Sequence, residues 1–262
     1  MIILKCNYLL IRGGIMKSNY KKYNFDESLE RLDTILSTKN TFDNSYSIPK
    51  REDLTYKNGY YVTCSSLFID LRDSSEFPRF HSRNILAKIY RAYISEVVAV
   101  INGSKLCKEI NIVGDCVSAI FETTYTDQVY EVFSLAIKLN TLIKVLNYKL
   151  KRKGYISIKA GIGLGFGEVL MIRAGYKKIS DIVWMGDAVN QASKMCERAN
   201  KGAIGPIVAT KPFYSKLNNQ NTSFIMKPWN SCDNYYHTGV IDVKVDEEKE
   251  TREFREVFNK LG

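Results

Sequence analysis

Hydrophobic positions along the chain alternate between helical and strand spacing, and the alternation lays out most of the fold. Residues 1–55 are rich in Asn, Ser and Lys, apart from DESLERLDTILS. There Leu29, Leu32, Ile35 and Leu36 form a helical stripe behind Asp26 as N-cap. Pro49 and the charged KRED mark a boundary, and GYYVTCSSLFIDL follows as a strand apolar enough to be buried on both faces. From Glu76 to Ile101 the residues Ile85, Leu86, Ile89, Tyr90, Tyr93, Ile94, Val97, Val98 and Ile101 keep helical spacing, ended by Asn102-Gly103. CKEINIV and CVSAIF read as strands joined by a Gly114-Asp115 hairpin. Residues 127–151 form a second amphipathic helix, with Val129, Val132, Phe133, Ala136, Leu139, Ile143, Leu146 and Leu150 on one face and Gly154 closing it. ISIKAGIGLGFG alternates as a strand, EVLMIRA and DIVWM read as two more, and DAVNQASKMCERA as a third helix. The order β–α–β–β–α–β is that of a split βαβ, ferredoxin-like α+β sheet with helices on one face. The expected division is a short, mainly helical N-terminal extension over 1–55 and a single domain over 56–262.

Bulk properties narrow the setting. The 262 residues suffice for one large domain with an extra segment, and 45% hydrophobic with 25% charged residues describes a folded chain. The net charge of +10 suits a polyanionic partner (nucleic acid, an anionic membrane or a phosphorylated small molecule) or simply a solvated basic surface. Cys6, Cys64, Cys107, Cys116, Cys196 and Cys232 form no CxxC pair, which points to buried thiols in a reducing compartment. His81 and His237 are the only histidines, so a His-rich zinc site is not expected. No stretch approaches the ~18 apolar residues that insert into a membrane. The start MIILKCNYLLIRGGIM is broken by Lys5, Arg12 and a Gly pair, a poor signal peptide, and Met16 is an alternative start. A cytoplasmic protein is expected.

Two acids then stand out. Asp70 ends the first long strand, in FIDLRDSS, and Asp115 sits in the hairpin turn. The first and third elements of a ferredoxin-like sheet are neighbours, so these two ends can lie side by side. Paired carboxylates there make a hard-oxygen site for Mg²⁺ or Mn²⁺. The LRDSS turn entering a helix offers N–H groups to phosphate oxygens. Together they describe a two-metal nucleoside triphosphate site. Taken singly, Asp70 reads equally as a strand leaving the core, and Asp115 as an ordinary turn residue. GIGLGFG matches neither GxGxxG nor GxxxxGK[ST], and suits a strand approached closely by another backbone. In MGDAVNQASK, Asp187 is a natural N-cap. Asn190 and Lys194 share a helical face that could clamp ribose or phosphate, or face solvent.

Taken together, FIDLRDSS, INIVGDCVSAIF, GIGLGFGEV and WMGDAVNQASKM stand in the order and spacing of class III nucleotide cyclases, a resemblance covering about residues 58–215. It implies a cyclase catalytic domain in which a ribose 3′-oxygen attacks the α-phosphorus and pyrophosphate leaves, with two Mn²⁺ or Mg²⁺ ions per site. Asp70 and Asp115 match the metal-binding acids and the Leu71 carbonyl a backbone ligand. Asn190 matches the asparagine that orients ribose and phosphate, and Phe68 a wall of the base pocket. Arg72, Ser74 and Ser75 fall on the phosphate side, where Arg72 reads equally as a triphosphate contact or a surface ion pair. A homodimer with sites at its interface is implied, with a nucleotide rather than a nucleic acid as partner.

The departures from the family pattern point to a smaller base. Purine cyclases carry Lys or Glu four residues before the second metal acid, where this chain has Asn111; their second base reader falls at Val183. Lys194 replaces the transition-state Arg, keeping charge and losing the bidentate fork. A late phosphate-binding Lys has no secure match in residues 225–245. With SIPKREDLTYKNGYYV, AKIYRAYISEVVAV and YYHTGVID, the whole resembles the pyrimidine cyclases of bacterial anti-phage Pycsar systems. These make cyclic CMP or cyclic UMP and signal to a separate cyclic-nucleotide-binding effector. CTP and UTP are not separated by the sequence, since Asn111 can donate or accept.

Overall fold

The structure is a computed structural model, and it describes residues 17–176, 178–217, 226–229 and 235–241. One sheet organises it. Strand β2 (Asn58–Leu71) runs through its middle, antiparallel to β4 (Cys116–Glu122) on one side and to β5 (Ala160–Tyr176) on the other. Outside β4 lies β3 (Cys107–Val113), and beyond β5 come β7 (Ile207–Thr210), β9 (Tyr235–Thr238) and β8 (Lys227–Pro228). The expected hairpin forms, with Gly114 at φ 63° and Val113 opposite Cys116.

The two faces of β2 divide the core. Leu67, Ile69 and Leu71 pack against α2 (Arg83–Asn102) and α3 (Thr126–Arg152), the helices expected from their apolar spacing, together with α5 (Lys211–Leu217). Cys64 and Phe68 point the other way, towards α4 (Asp187–Arg198) through Ala188, Ala192 and Cys196. Helices α2 and α3 thus share one face as a ferredoxin-like sheet requires, and α4, outside that repeat, covers the other.

Helix α4 approaches closely because β5 has no side chains beneath it. A Cβ built on Gly163 would collide with the Ala192 carbonyl and the Cys196 backbone, and one on Gly165 with the Ala188 carbonyl. GIGLGFG is therefore a helix seat, as its alternation suggests.

Several local expectations are corrected. EVLMIRA is no separate strand but continues β5, while ISIK precedes it; β6 (Ile179–Gly186) folds back on that extension. Asn24, not Asp26, caps α1 (Phe25–Ser37), its Oδ1 accepting from Asp26 N at 3.0 Å and Glu27 N at 3.3 Å. Gly186 holds the N-cap position of α4, and Asp187 is the first helical residue. The α1 stripe does form, but Leu29, Leu32, Ile35 and Leu36 are all exposed. Polar TFDNS, unmarked by any apolar pattern, becomes β1 (Thr41–Ser45) and pairs parallel with β2, so part of the expected extension joins the sheet. Cys64, Cys107, Cys116 and Cys196 are free thiols, while Cys6, Met16 and Cys232 lie outside the described residues. Among the described residues no helix is long and apolar enough to cross a membrane.

Gly163→Ala should force α4 off β5. Overpacking costs about 1–3 kcal/mol, so the melting temperature is expected to fall by about 3–10 °C in a thermal scan. An unchanged value would mean that α4 does not rest on this strand.

Candidate active site

Register builds the site. Asn111 on β3 lies opposite Ser118 on β4, and Ser118 opposite Phe68 on β2, so these side chains share one face, the face that α4 covers. Two residues on from Phe68, Asp70 keeps that face at the strand's end. Asp115 stands in the turn beside it, because Ile69 pairs with Val117 and the hairpin closes just beyond. Both acids act on one phenol. Tyr90 has its pKa raised first by burial, then by Asp115 and Asp70, against a hydrogen bond from Ser74 that lowers it.

A cation fits this pair. Asp115 Oδ2 is buried without a hydrogen-bond partner, an arrangement that is costly for a carboxylate unless a positive charge completes it. Among the described residues no group of three or more His, Cys, Asp or Glu gathers at any point, so the hard-oxygen donors are the two carboxylates and the neighbouring main chain. A cavity of about 120 Å³ adjoins Asp70, lined by Phe68, Asp70, Leu71 and Cys116 on the sheet side and by Ser193 and Glu197 of α4.

The other expected residues divide. Arg72 is buried and not in a surface ion pair; its Nη2 donates to the Cys196 carbonyl at 2.6 Å and its Nη1 to the Glu197 carbonyl at 3.4 Å. A cation on the last carbonyls of α4 also meets the negative end of that helix. Ser74 is buried against Tyr90, whereas Ser75 is exposed in the short 3₁₀ turn Ser74–Arg79 that Asp73 enters at φ 54°. Val183 is half-buried on β6 between buried Ile182 and Trp184. Asn190 and Lys194 are both exposed, on the side of α4 away from Ala188, Ala192 and Cys196, and do not line the cavity that holds Asp70. One chain therefore gathers Phe68, Asp70, Leu71 and Asp115, with Asn111 on β3 one strand further out, beyond β4, and leaves Asn190 and Lys194 outside.

Sequence reasoning missed a second polar cluster. Arg51, in a 3₁₀ turn ahead of β2, donates from Nη1 to Glu109 Oε2 at 2.8 Å and from Nη2 to Asp181 Oδ1. In the sequence Arg51 looked like part of a charged boundary. The available signal was Glu109, two residues before Asn111 and so on the same face of β3. Burial raises the Glu109 carboxyl, Arg51 and Trp184 pull it down, Asp181 pushes it up, and the balance leaves it at about 7. Trp184 favours the ionised form, although its Nε1 falls outside hydrogen-bond geometry.

The Adenylate and Guanylate cyclase catalytic domain family matches residues 57–230. A uridylate cyclase from Gulbenkiania mobilis is 46% identical over 76% of this chain and 81% of its own length. A uridylate cyclase from Treponema porcinum is 33% identical over 82% of this chain and 77% of its own. Among solved structures, the adenylyl cyclase CyaB from P. aeruginosa superposes with a TM-score of 0.58 at 18% identity, over 72% of this chain and 98% of that one, a likeness of fold. The chain belongs to the class III nucleotide cyclases, whose members act with divalent metal ions.

The raised Glu109 carboxyl has a measurable consequence. A raised pKa means that the folded chain holds the proton more tightly than the unfolded chain. The stabilisation is complete below the ordinary value of 4.5 and is lost as pH rises through about 7. Glu109→Gln should flatten the pH dependence of melting temperature between pH 5 and 7 relative to wild type. Parallel curves would show that Glu109 titrates normally.

Proposed function

We propose that this chain is a uridylate cyclase, converting UTP to 3′,5′-cyclic UMP and pyrophosphate. The carrying observation is the convergence of Asp70, Asp115, Phe68 and Asn111 at one sheet end in a chain 46% identical to a uridylate cyclase. Asp70, Asp115 and the Leu71 carbonyl would hold divalent cations, two Mn²⁺ or Mg²⁺ per site, which supply charge stabilisation on the phosphates and acidify the ribose hydroxyl. Phe68 walls the base, and Asn111 offers both a donor and an acceptor to its edge. Val183, apolar, leaves the second reading position without a polar group. Ser75, exposed in the turn after Asp70, is the hydroxyl there available to phosphate oxygens.

Asn190 orients the ribose and Lys194 places positive charge on the reacting phosphoryl group. Their exposure on α4, outside the cavity of their own chain, supports a head-to-tail homodimer in which each copy lends this helix to the other's acids. The resemblance to Pycsar cyclases favours an anti-phage second messenger, read by a separate cyclic-nucleotide-binding effector.

Purified protein incubated with each nucleoside triphosphate and Mn²⁺, with products identified by mass spectrometry, is expected to yield cyclic UMP. Preferred turnover of ATP or GTP would overturn the pyrimidine reading. Asp70→Ala should lower turnover by at least about 10²–10³-fold, since metal stabilisation is worth several kcal/mol.

The shared site has its own test. Asp70→Ala and Asn190→Ala, each inactive alone, should recover about a quarter of wild-type activity when mixed and allowed to exchange. Half of the dimers are then mixed, each with one intact site of two. No recovery despite exchange would place both residues in one chain's site.

A further inference from the structure

The cavity beside Asp70 carries a cation that the metal site does not account for. Arg72 and Lys201 both line it, and Asp73 and Glu197 are the other charged side chains there. Arg72 is committed to the last carbonyls of α4, where it already meets the negative end of that helix. Lys201 is exposed and, among the described residues, forms no ion pair, although three acids line the same cavity.

The loop that carries Lys201 is tied down at several points. Ala199 N donates to the Met195 carbonyl at 3.0 Å, which closes α4. Asn200 then turns the chain at φ 58°, a left-handed conformation that asparagine tolerates. Its N donates to the Gly205 carbonyl at 2.9 Å, and Ile204 N to the Lys201 carbonyl at 3.0 Å. Asn200 Nδ2 donates to the Ala160 carbonyl at 3.0 Å, and Ala160 stands opposite Leu71 in the β2–β5 ladder. Arg72 N donates to the Lys159 carbonyl at 2.7 Å, one residue before. Lys201 is therefore fixed, through Asn200, to the strand residue beside the end of β2 that delivers Asp70.

Charge gives this placement a use. Two carboxylates and a fully ionised triphosphate outweigh two divalent cations, so a further positive group is called for where the phosphates lie. Residues 225–245 hold no secure match to a phosphate-binding lysine.

We propose that Lys201 is a substrate-binding residue in the same half-site as Asp70, its ammonium holding β- and γ-phosphate oxygens of the nucleotide. As the ribose 3′-oxygen bonds to the α-phosphorus, the bond from that phosphorus to the bridging oxygen breaks and its electron pair leaves with pyrophosphate. Lys201 keeps its proton throughout and offsets the charge that gathers there. This rests on the cyclase reading of the site and is independent of which base is bound.

The test uses the full-length chain with Mn²⁺ in excess over nucleotide and pyrophosphate. It compares wild type, Lys201→Ala, Lys201→Arg and, as a control for net charge, Lys211→Ala, an exposed lysine of α5 outside the cavity. In Lys201→Ala the KM for UTP and the inhibition constant of inorganic pyrophosphate should each rise about 10–100-fold, the scale of one hydrogen bond to a charged group. Inhibition by cyclic UMP, which lacks both phosphates, should not change. Lys201→Arg should recover most of the loss, and Lys211→Ala should match wild type. Unchanged constants in Lys201→Ala, a parallel loss against cyclic UMP, or an equal effect in Lys211→Ala overturns the proposal.

Subunit mixing at UTP well below KM checks the half-site. Lys201→Ala should recover activity on exchange with Asn190→Ala and not with Asp70→Ala. Recovery with Asp70→Ala overturns the placement, as does none with Asn190→Ala where the Asp70→Ala and Asn190→Ala pair recovers. A wild type that turns over no nucleoside triphosphate removes the cyclase reading and this proposal together. One that prefers purines removes the pyrimidine reading alone, and the same constants are then measured with the preferred nucleotide and its cyclic product. One that cyclises UTP with unchanged constants in Lys201→Ala removes this proposal alone.

Discussion

The close seat of α4 on β5 is the constraint on which the candidate site depends. Gly163 and Gly165 bring the helix backbone down onto the strand, at a distance that no other residue type permits. That contact closes the face carrying Phe68 and Asp70, forms the wall opposite them in the cavity, and turns Asn190 and Lys194 outward. Arg72 completes the seat from below, joining the end of β2 to the last carbonyls of α4. The strand end that delivers Asp70 and the helix end that passes over it are thereby one mechanical unit.

Much of this was legible in the sequence because it is written in periodicity. The apolar spacing of Ile89, Tyr93 and Val97, and of Val132, Phe133 and Ala136, marks α2 and α3, and all six residues are buried. The Gly114-Asp115 turn and the pairing of neighbouring strands were enough to bring Asp115 to Asp70. What failed did so for local reasons. EVLMIRA looked separate from the preceding strand because Gly167 interrupts the alternation, yet Gly167 sits inside the ladder opposite Cys64. TFDNS has no apolar signature, since an exposed outer strand needs none.

The site was legible only where residue type and position were both distinctive. Arg72 was ambiguous because its partners are backbone carbonyls over 120 residues away in the chain, which leave no pattern in side-chain types. The same blindness hid Arg51: an arginine in a charged turn carries no mark of the two buried acids that it will meet. Buried polar atoms lacking partners are the structure's own indicator of where something is to be completed, and they gather at Asp115 and around Glu109, Asn111 and Asp181.

The outward placement of Asn190 and Lys194 carries a kinetic implication. On the proposed assembly no solitary copy holds a whole catalytic set, so at concentrations below the dissociation constant product formation rises with the square of the amount of chain. A cell making few copies would stay nearly silent, and a modest rise in abundance, or anything that crowds two copies together, would be amplified in the output. The division of labour along α4 would then be a built-in threshold, requiring no additional regulatory domain.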